Sequence, residues 1–218
     1  MKYETILFDL DGTILDTNEL ILVSFMYTLE REYPGKFTRE HVIPYMGEPL
    51  PEQMARFDAT RIEELVRIYR EHNVRVHDEL VTAFPHVVEV IAKLHELGVK
   101  MGIVTSKQRR TVDMGLRLFD LEKYMDVVIT HGDTEKSKPA PDPILKAMEL
   151  MNANPASTLM IGDSEYDLQS AKAAGVDSVG VAWSLRGVEY VSQFDPTYII
   201  HDIRDLLTIQ GSLVQEER

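Results

Sequence analysis

Short apolar runs separated by polar segments predict strands and helices in turn along residues 1–16 and 82–218. Strands are predicted at residues 5–8, 99–104, 126–130, 158–161, 176–182 and 198–200, and helices at residues 87–97, 109–118, 143–151 and 167–174. Strands that alternate with helices form a parallel sheet with helices on both faces. The pattern therefore predicts an α/β fold with a Rossmann-like parallel sheet.

Residues 17–81 follow a different pattern, because no strand stands out and apolar residues recur at helical spacing. The clearest example is Ile62, Leu65, Val66 and Tyr69, within a helix predicted at residues 60–80. Further helices are predicted at residues 19–29 and from near residue 38, with a proline-rich loop at residues 44–51. We therefore expect an all-helical insert, residues 17–81, in an α/β core formed by residues 1–16 and 82–218.

Composition narrows the possible partners and location. The chain has 218 residues, a formal net charge of −13 and no cysteine. Nucleic acid binding requires a basic surface, so this charge argues against it, and it also repels anionic substrates at long range. No apolar run approaches the roughly 20 residues that span a bilayer. We expect a cytoplasmic protein without a membrane segment, with residues 215–218 frayed.

Asp9 and Asp11 are the first candidates for chemistry. They follow the apolar run at residues 5–8, and in an extended chain residues two apart project to the same side. Such a pair of carboxylates can hold a divalent cation, or divide the tasks of nucleophile and acid/base. Asp-Gly is also a common hairpin turn, so the spacing alone leaves both interpretations open.

Polar residues also follow two other predicted strands, and a lysine lies between them in the chain. These residues are Thr105 and Ser106, then Lys138, then Asp163 and Asp167. Taken singly, each is explained by a helix cap or a solvated charge. Their arrival in order at strand ends of one sheet favours a common site, because ligands bind beyond the carboxyl ends of such strands. Asp9, Asp11 and Asp163 then offer oxygens to Mg²⁺, and Thr105 and Lys138 offer donors to a phosphate.

Four segments together resemble the motifs of the haloacid dehalogenase-like phosphatase superfamily, and the helical insert resembles its α-helical cap. The segments are Asp9-Leu10-Asp11-Gly12-Thr13, Thr105, Lys138-Pro139 and Gly162-Asp163-Ser164-Glu165-Tyr166-Asp167. Outside these motifs, five stretches are similar to bacterial pyrophosphatases of this superfamily: Asp16–Ile21, Tyr33–Gly35, His77–Thr82, Val112–Leu116 and Gly180–Trp183. The resemblance implies a Mg²⁺-dependent phosphohydrolase that forms an aspartyl phosphate, with inorganic pyrophosphate as the expected substrate.

The resemblance also implies a role for each motif residue. Asp9 is the nucleophile, and Asp11 is the acid/base, whose backbone carbonyl also contacts the metal. Asp163 binds the metal, and Asp167 either binds it through water or orients Lys138. The remaining contacts with substrate are expected from Gly12, Thr13, Thr105, Ser106 and Lys138.

The helical insert is expected to determine the substrate, and its residues leave alternatives open. Glu48 is a candidate substrate-binding residue that could bind the metal through water or exclude larger anions, or it could be a solvated charge. Arg56, Arg61 and His77 could contact a second phosphate or lie on the surface. Other activities therefore remain: hydrolysis of phosphoglycolate or another small phosphomonoester, a sugar-phosphate mutase, or a phosphate-binding protein without catalysis. The sequence does not indicate which oligomeric state or protein partner to expect.

Overall fold

The structure, a computed structural model, describes residues 1–211. This part of the chain divides into two compact units, residues 17–82 and residues 1–16 with the chain from residue 83 onwards. The sequence placed the second boundary after residue 81. The expected fraying of residues 215–218 lies outside the described residues.

A six-stranded parallel sheet forms the centre of the α/β unit. In chain order the strands are β1 (Thr5–Phe8), β2 (Leu15–Asp16), β3 (Thr82–Ala83), β4 (Lys100–Val104), β5 (Val127–Ile129), β6 (Thr158–Gly162), β7 (Asp177–Val181) and β8 (Tyr198–Ile200). The sheet order is β5-β4-β1-β6-β7-β8, and β2 pairs separately with β3. Every pair in the large sheet is parallel, with Phe8 opposite both Ile103 and Ile161. The α/β fold predicted from the sequence is confirmed.

Ten α-helices are present in the described residues. They are α1 (Asn18–Glu32), α2 (Arg39–Val42), α3 (Leu50–Ala55), α4 (Ile62–Leu80), α5 (Val87–Glu96), α6 (Arg109–Leu118), α7 (Asp142–Met151), α8 (Glu165–Ala174), α9 (Val188–Ser192) and α10 (Asp205–Ile209). None of these helices combines the length and apolar composition needed to cross a membrane.

The core of the α/β unit forms because β1, β4 and β6 are apolar on both faces, as expected for strands covered on both sides. On one face, Leu7, Val104 and Met160 pack with Ile144 and Met148 of α7, and all five are buried. Burying apolar surface stabilises a fold by roughly 25 cal/mol per Å². This packing fixes the ends of the central strands, from which the candidate site residues project.

The helical unit has an apolar core of its own. Phe25 and Leu29 of α1 pack against Leu65 and Tyr69 of α4, with the Phe25 and Tyr69 ring centroids 4.9 Å apart. Its described residues contain one strand residue, Thr82 of β3, and otherwise form helices and loops.

Several predicted elements differ in detail from the observed ones. The segment 44–51 was predicted as a loop, but Ile43–Tyr45 is a 3₁₀ helix and α3 begins at Leu50. Proline is compatible with the first turn of a helix because that position needs no N–H donor, so Pro51 does not prevent α3. Asp142 was expected to cap α7, yet it is the first helical residue. The two-residue strands β2 and β3 are too short to produce a sequence pattern.

Candidate active site

The central strands β1, β4 and β6 end at one edge of the sheet, and each is followed by a predicted site residue. Asp9 follows β1, and its N–H donates to the Ile161 carbonyl at 2.8 Å. Thr105 follows β4, and Asp163 follows β6. Since β1 lies between β4 and β6, the sheet brings these distant segments of the chain together.

Two glycines make room for the acidic residues. Gly12 has a φ of +77°, and a Cβ on it would lie 2.5 Å from an Oδ of Asp163. A Cβ on Gly162 would lie 2.3 Å from the Cγ of Asp167. Gly12 also closes a tight turn by donating its N–H to the Leu15 carbonyl at 2.9 Å. Side chains at these positions would displace the carboxylates, so glycine is required at both.

Three carboxylates converge at this edge. Asp9, Asp163 and Asp167 each place one oxygen within 4.8 Å of the others. Burial raises the pKa of Asp9 from 3.8 to about 7, although Lys138 opposes the shift. Burial, followed by the charges of Asp167 and Asp9, also raises the pKa of Asp163 well above its usual range. Buried carboxylates that repel one another are a suitable site for a hard divalent cation, which prefers oxygen ligands.

Lys138 is buried beside this group and uses all three of its ammonium hydrogens. Its Nζ donates to Asp9 at 2.7 Å, to Asp167 at 2.5 Å and to the Val104 carbonyl at 2.9 Å. Burial alone would lower the pKa of Lys138, but Asp167 and Asp9 outweigh it, so the pKa is raised. Lys138 is therefore a fixed positive charge against the predicted nucleophile.

Asp167 is held from two sides. One carboxylate oxygen accepts from Lys138, and the other accepts from the Ser164 N–H at 3.1 Å and the Ser164 hydroxyl at 2.6 Å. This is a capping box at the start of α8, with Ser164 rather than Asp163 as the N-cap. Of the two alternatives for Asp167, these bonds favour the orientation of Lys138.

Asp11 lies apart from the three converging carboxylates. Its Oδ1 instead accepts from Lys107 Nζ at 2.7 Å, and the two side chains are 23% and 11% exposed, respectively. Lys107 is not among the residues that the sequence motifs identify. Its position directly after Thr105-Ser106, at the end of a strand, is the signal that could have identified it.

The two hydroxyl residues after β4 differ in their burial. Thr105 is buried, and its hydroxyl accepts the N–H of Lys107 at 3.3 Å. Ser106 is partly buried.

Two residues after β7 hold the site loops through backbone carbonyls. Trp183 Nε1 donates to the Thr13 carbonyl at 3.2 Å, and Ser184 Oγ donates to the Asp163 carbonyl at 2.8 Å. The Thr13 hydroxyl is buried and has no hydrogen-bond partner among the described residues. No sequence motif indicates a site role for either Trp183 or Ser184.

The candidate residues of the helical unit are paired within that unit. Glu48 accepts from Arg56 at 3.0 Å, and Arg56 lies over the ring of Tyr45. Arg61 pairs with Glu32 and Glu64. His77 is buried, with its Nδ1 2.7 Å from Asp78. Glu48 is therefore not an isolated negative charge.

Known proteins resemble this chain in sequence and in fold. Residues 6–181 match the family model described as haloacid dehalogenase-like hydrolase. The chain is 45% identical to pyrophosphatase PpaX of Halalkalibacterium halodurans over 97% of this chain and 98% of that protein. It is 44% identical to pyrophosphatase PpaX of Bacillus mycoides over 96% and 97% of the two chains. A solved structure from Lactobacillus plantarum, provisionally assigned as a phosphoglycolate phosphatase, superposes with a TM-score of 0.87 at 26% identity, covering 96% of this chain and all of that one.

Proposed function

Because the chain belongs to the haloacid dehalogenase-like hydrolase family and is a phosphohydrolase, we propose that it hydrolyses inorganic pyrophosphate to two phosphate ions. The observation that carries the chemistry is the buried contact of Lys138 with Asp9, beside two further carboxylates. The choice of pyrophosphate rests on the relatives named for that activity, since they match nearly the whole chain.

In this proposal Asp9 is the nucleophile. Its carboxylate attacks one phosphorus of pyrophosphate, and the bond from that phosphorus to the bridging oxygen breaks. One phosphate leaves with the bonding electron pair, and an aspartyl phosphate remains on Asp9. Water then cleaves the aspartyl phosphate, which releases the second phosphate and restores Asp9. Covalent catalysis of this kind replaces one difficult step with two easier ones.

Lys138 keeps Asp9 ionised as a nucleophile, and Asp167 positions Lys138. The Lys138 ammonium favours the ionised form of Asp9, which burial opposes. Asp167 holds Lys138 in place because one of its oxygens is itself fixed by Ser164. Thr105 supplies a buried hydroxyl at the end of β4, where the oxygens of the transferred phosphoryl group need donors.

The proposed cofactor is Mg²⁺. The raised pKa values of Asp9 and Asp163 indicate that one lysine does not balance the buried negative charge, and this fits a divalent cation. Asp9 and Asp163 would hold the ion, together with the Asp11 carbonyl. When bound, Mg²⁺ neutralises phosphoryl oxygens and favours the approach of an anionic nucleophile.

Asp11 is the proposed acid and base. It gives a proton to the leaving oxygen and later takes one from the attacking water. A phosphate leaving group needs this proton less than an alkoxide does, so pyrophosphate depends less on Asp11 than an alkyl phosphate.

The helical unit is proposed to act as a cap that selects the substrate. The match to the pyrophosphatases includes this unit, since it covers 96–97% of the chain. Within this unit Glu48 forms an ion pair with Arg56. The absence of cysteine is consistent with a cytoplasmic location, which is also part of the proposal.

The test is initial phosphate release, in the presence of Mg²⁺, from pyrophosphate, phosphoglycolate, hexose phosphates and para-nitrophenyl phosphate. We expect pyrophosphate to lead in kcat/KM by about tenfold or more, equivalent to about 1.4 kcal/mol of transition-state binding. Asp9→Asn should abolish release from every substrate. If phosphoglycolate leads, the mechanism stands, but the substrate is the one that the Lactobacillus plantarum structure suggests.

A further inference from the structure

Lys107 is a second lysine at the edge of the sheet that carries Asp9. Its Nζ lies 2.7 Å from Asp11 Oδ1, and its side chain is 11% exposed. Its backbone is held on both sides: the N–H donates to the Thr105 hydroxyl at 3.3 Å, and the carbonyl accepts from His131 at 2.9 Å. The ammonium is therefore fixed close to the proposed acid/base residue.

The two site lysines differ in the number of their partners. Lys138 has three acceptors, which use all of its N–H groups. Within residues 1–211, Lys107 Nζ has a single hydrogen-bond acceptor, Asp11. An ammonium carries three donors, so Lys107 retains the capacity to bind another anion while it contacts Asp11.

The contact with Asp11 also defines which part of the substrate Lys107 meets. Lys138 lies against Asp9, where the transferred phosphoryl group is bound. Asp11, as acid and base, must contact the leaving oxygen. A cation 2.7 Å from Asp11 therefore lies beside the leaving group.

We propose that Lys107 binds the anionic part of the leaving group, and that it gives the enzyme a preference for substrates whose leaving group carries its own negative charge. The proposal rests on the proposed hydrolysis at Asp9. As the bond to the bridging oxygen of pyrophosphate breaks, its electron pair passes to the departing phosphate. Lys107 stabilises this added charge, whereas the alcohol that leaves an alkyl phosphate offers no comparable anion.

The test compares substrates that differ in leaving-group charge. One pair is pyrophosphate and methyl phosphate, and the other is phosphoglycolate and ethyl phosphate, which have similar size. We expect Lys107→Gln to lower kcat/KM for the anionic member of each pair by about 10²-fold, as for other lost charge-stabilising donors. The neutral member should change by less than about threefold. Lys107→Arg should retain most of the preference because it keeps the charge.

Lys123→Gln is the matched control, because it removes a surface lysine whose partners within the described chain are Asp120 and Tyr124. It should leave every ratio unchanged. Thermal unfolding of each variant verifies that it is folded. An equal loss on all four substrates would mean that Lys107 only holds Asp11 in place, and no loss would mean that it contacts no substrate; either result overturns the proposal.

The substrate pairs also separate this proposal from the proposed function. If the wild-type enzyme hydrolyses phosphoglycolate but not pyrophosphate, the pyrophosphatase proposal fails while the second pair still tests Lys107. If the wild-type enzyme prefers the neutral member of both pairs, the proposal for Lys107 fails as well.

Discussion

Replacing Asp9 by asparagine should abolish activity and yet stabilise the metal-free protein. Asparagine has nearly the shape of aspartic acid, and its amide oxygen can still accept from Lys138, but it carries no charge. In the folded protein the pKa of Asp9 rises from 3.8 to about 7, mainly through burial. The ionised form therefore costs folding free energy that the uncharged amide avoids.

The sign and size follow from proton linkage. A raised pKa means that the folded state holds the proton more tightly than the unfolded state, so stability falls as pH rises from 3.8 to about 7. At about pH 8 the full shift applies, and it corresponds to at most about 4 kcal/mol. At about pH 5 the same linkage lowers the free energy of unfolding by about 1.5 kcal/mol. The stability advantage of Asp9→Asn over wild type should therefore be largest at high pH.

The assay is urea unfolding of both proteins in the presence of a chelator, at about pH 8 and about pH 5. Asp202→Asn is a control of opposite sign, because hydrogen bonds from Arg204 lower the pKa of Asp202 to about 2. That carboxylate stabilises the fold above its unfolded pKa, and its loss should destabilise the protein at high pH. Adding Mg²⁺ should then stabilise wild type more than Asp9→Asn.

Two results would refute this reasoning. If Asp9→Asn is no more stable than wild type at about pH 8, then Lys138 already balances the buried charge. If the variant is more stable by the same amount at both pH values, the gain does not come from ionisation of Asp9.

Three further predictions follow from the site. Asp11→Asn should reduce kcat less with pyrophosphate than with methyl phosphate, and equal losses would contradict the proposed acid role. Gly12→Ala should destabilise the fold by about 1–3 kcal/mol in urea unfolding, because it combines a φ of +77° with a Cβ 2.5 Å from Asp163. Gly35→Ala, with a φ of +70° and no neighbour within 4 Å, should lose less. Ser184→Ala frees the Asp163 carbonyl, so about tenfold more Mg²⁺ should be needed for half-maximal activity, with kcat at saturation nearly unchanged.

Much of the fold could be predicted from the sequence because the buried strands are continuous apolar runs. β1, β8 and α6 have the predicted bounds, and the other predicted strands of the sheet differ by at most one residue at either end. Short elements were not predicted. A pattern of period two cannot appear in a two-residue strand such as β2, and α3 was hidden by prolines that its first turn tolerates.

The sequence could predict site residues only where the residue type itself indicates a binding or catalytic function. Acidic residues and glycines at the carboxyl ends of strands β1 and β6 indicate a binding edge, and the structure brings Asp9 and Asp163 together there. The contact between Lys107 and Asp11 joins residues 96 positions apart, so it depends on how two loops fold. Ser184 donates a hydrogen bond to the backbone carbonyl of Asp163, and no sequence pattern indicates such a bond.

The charges of the site explain how an acidic protein can accept an anionic substrate. The α/β unit places four carboxylates, Asp9, Asp11, Asp163 and Asp167, against the ammonium groups of Lys107 and Lys138. Formally this leaves two negative charges, which one divalent cation neutralises. Without the cation, pyrophosphate would meet buried, uncompensated carboxylates, and burial together with the charges of Asp167 and Asp9 already raises the pKa of Asp163. Substrate binding should therefore require the metal, although the rest of the molecule still carries a net negative charge.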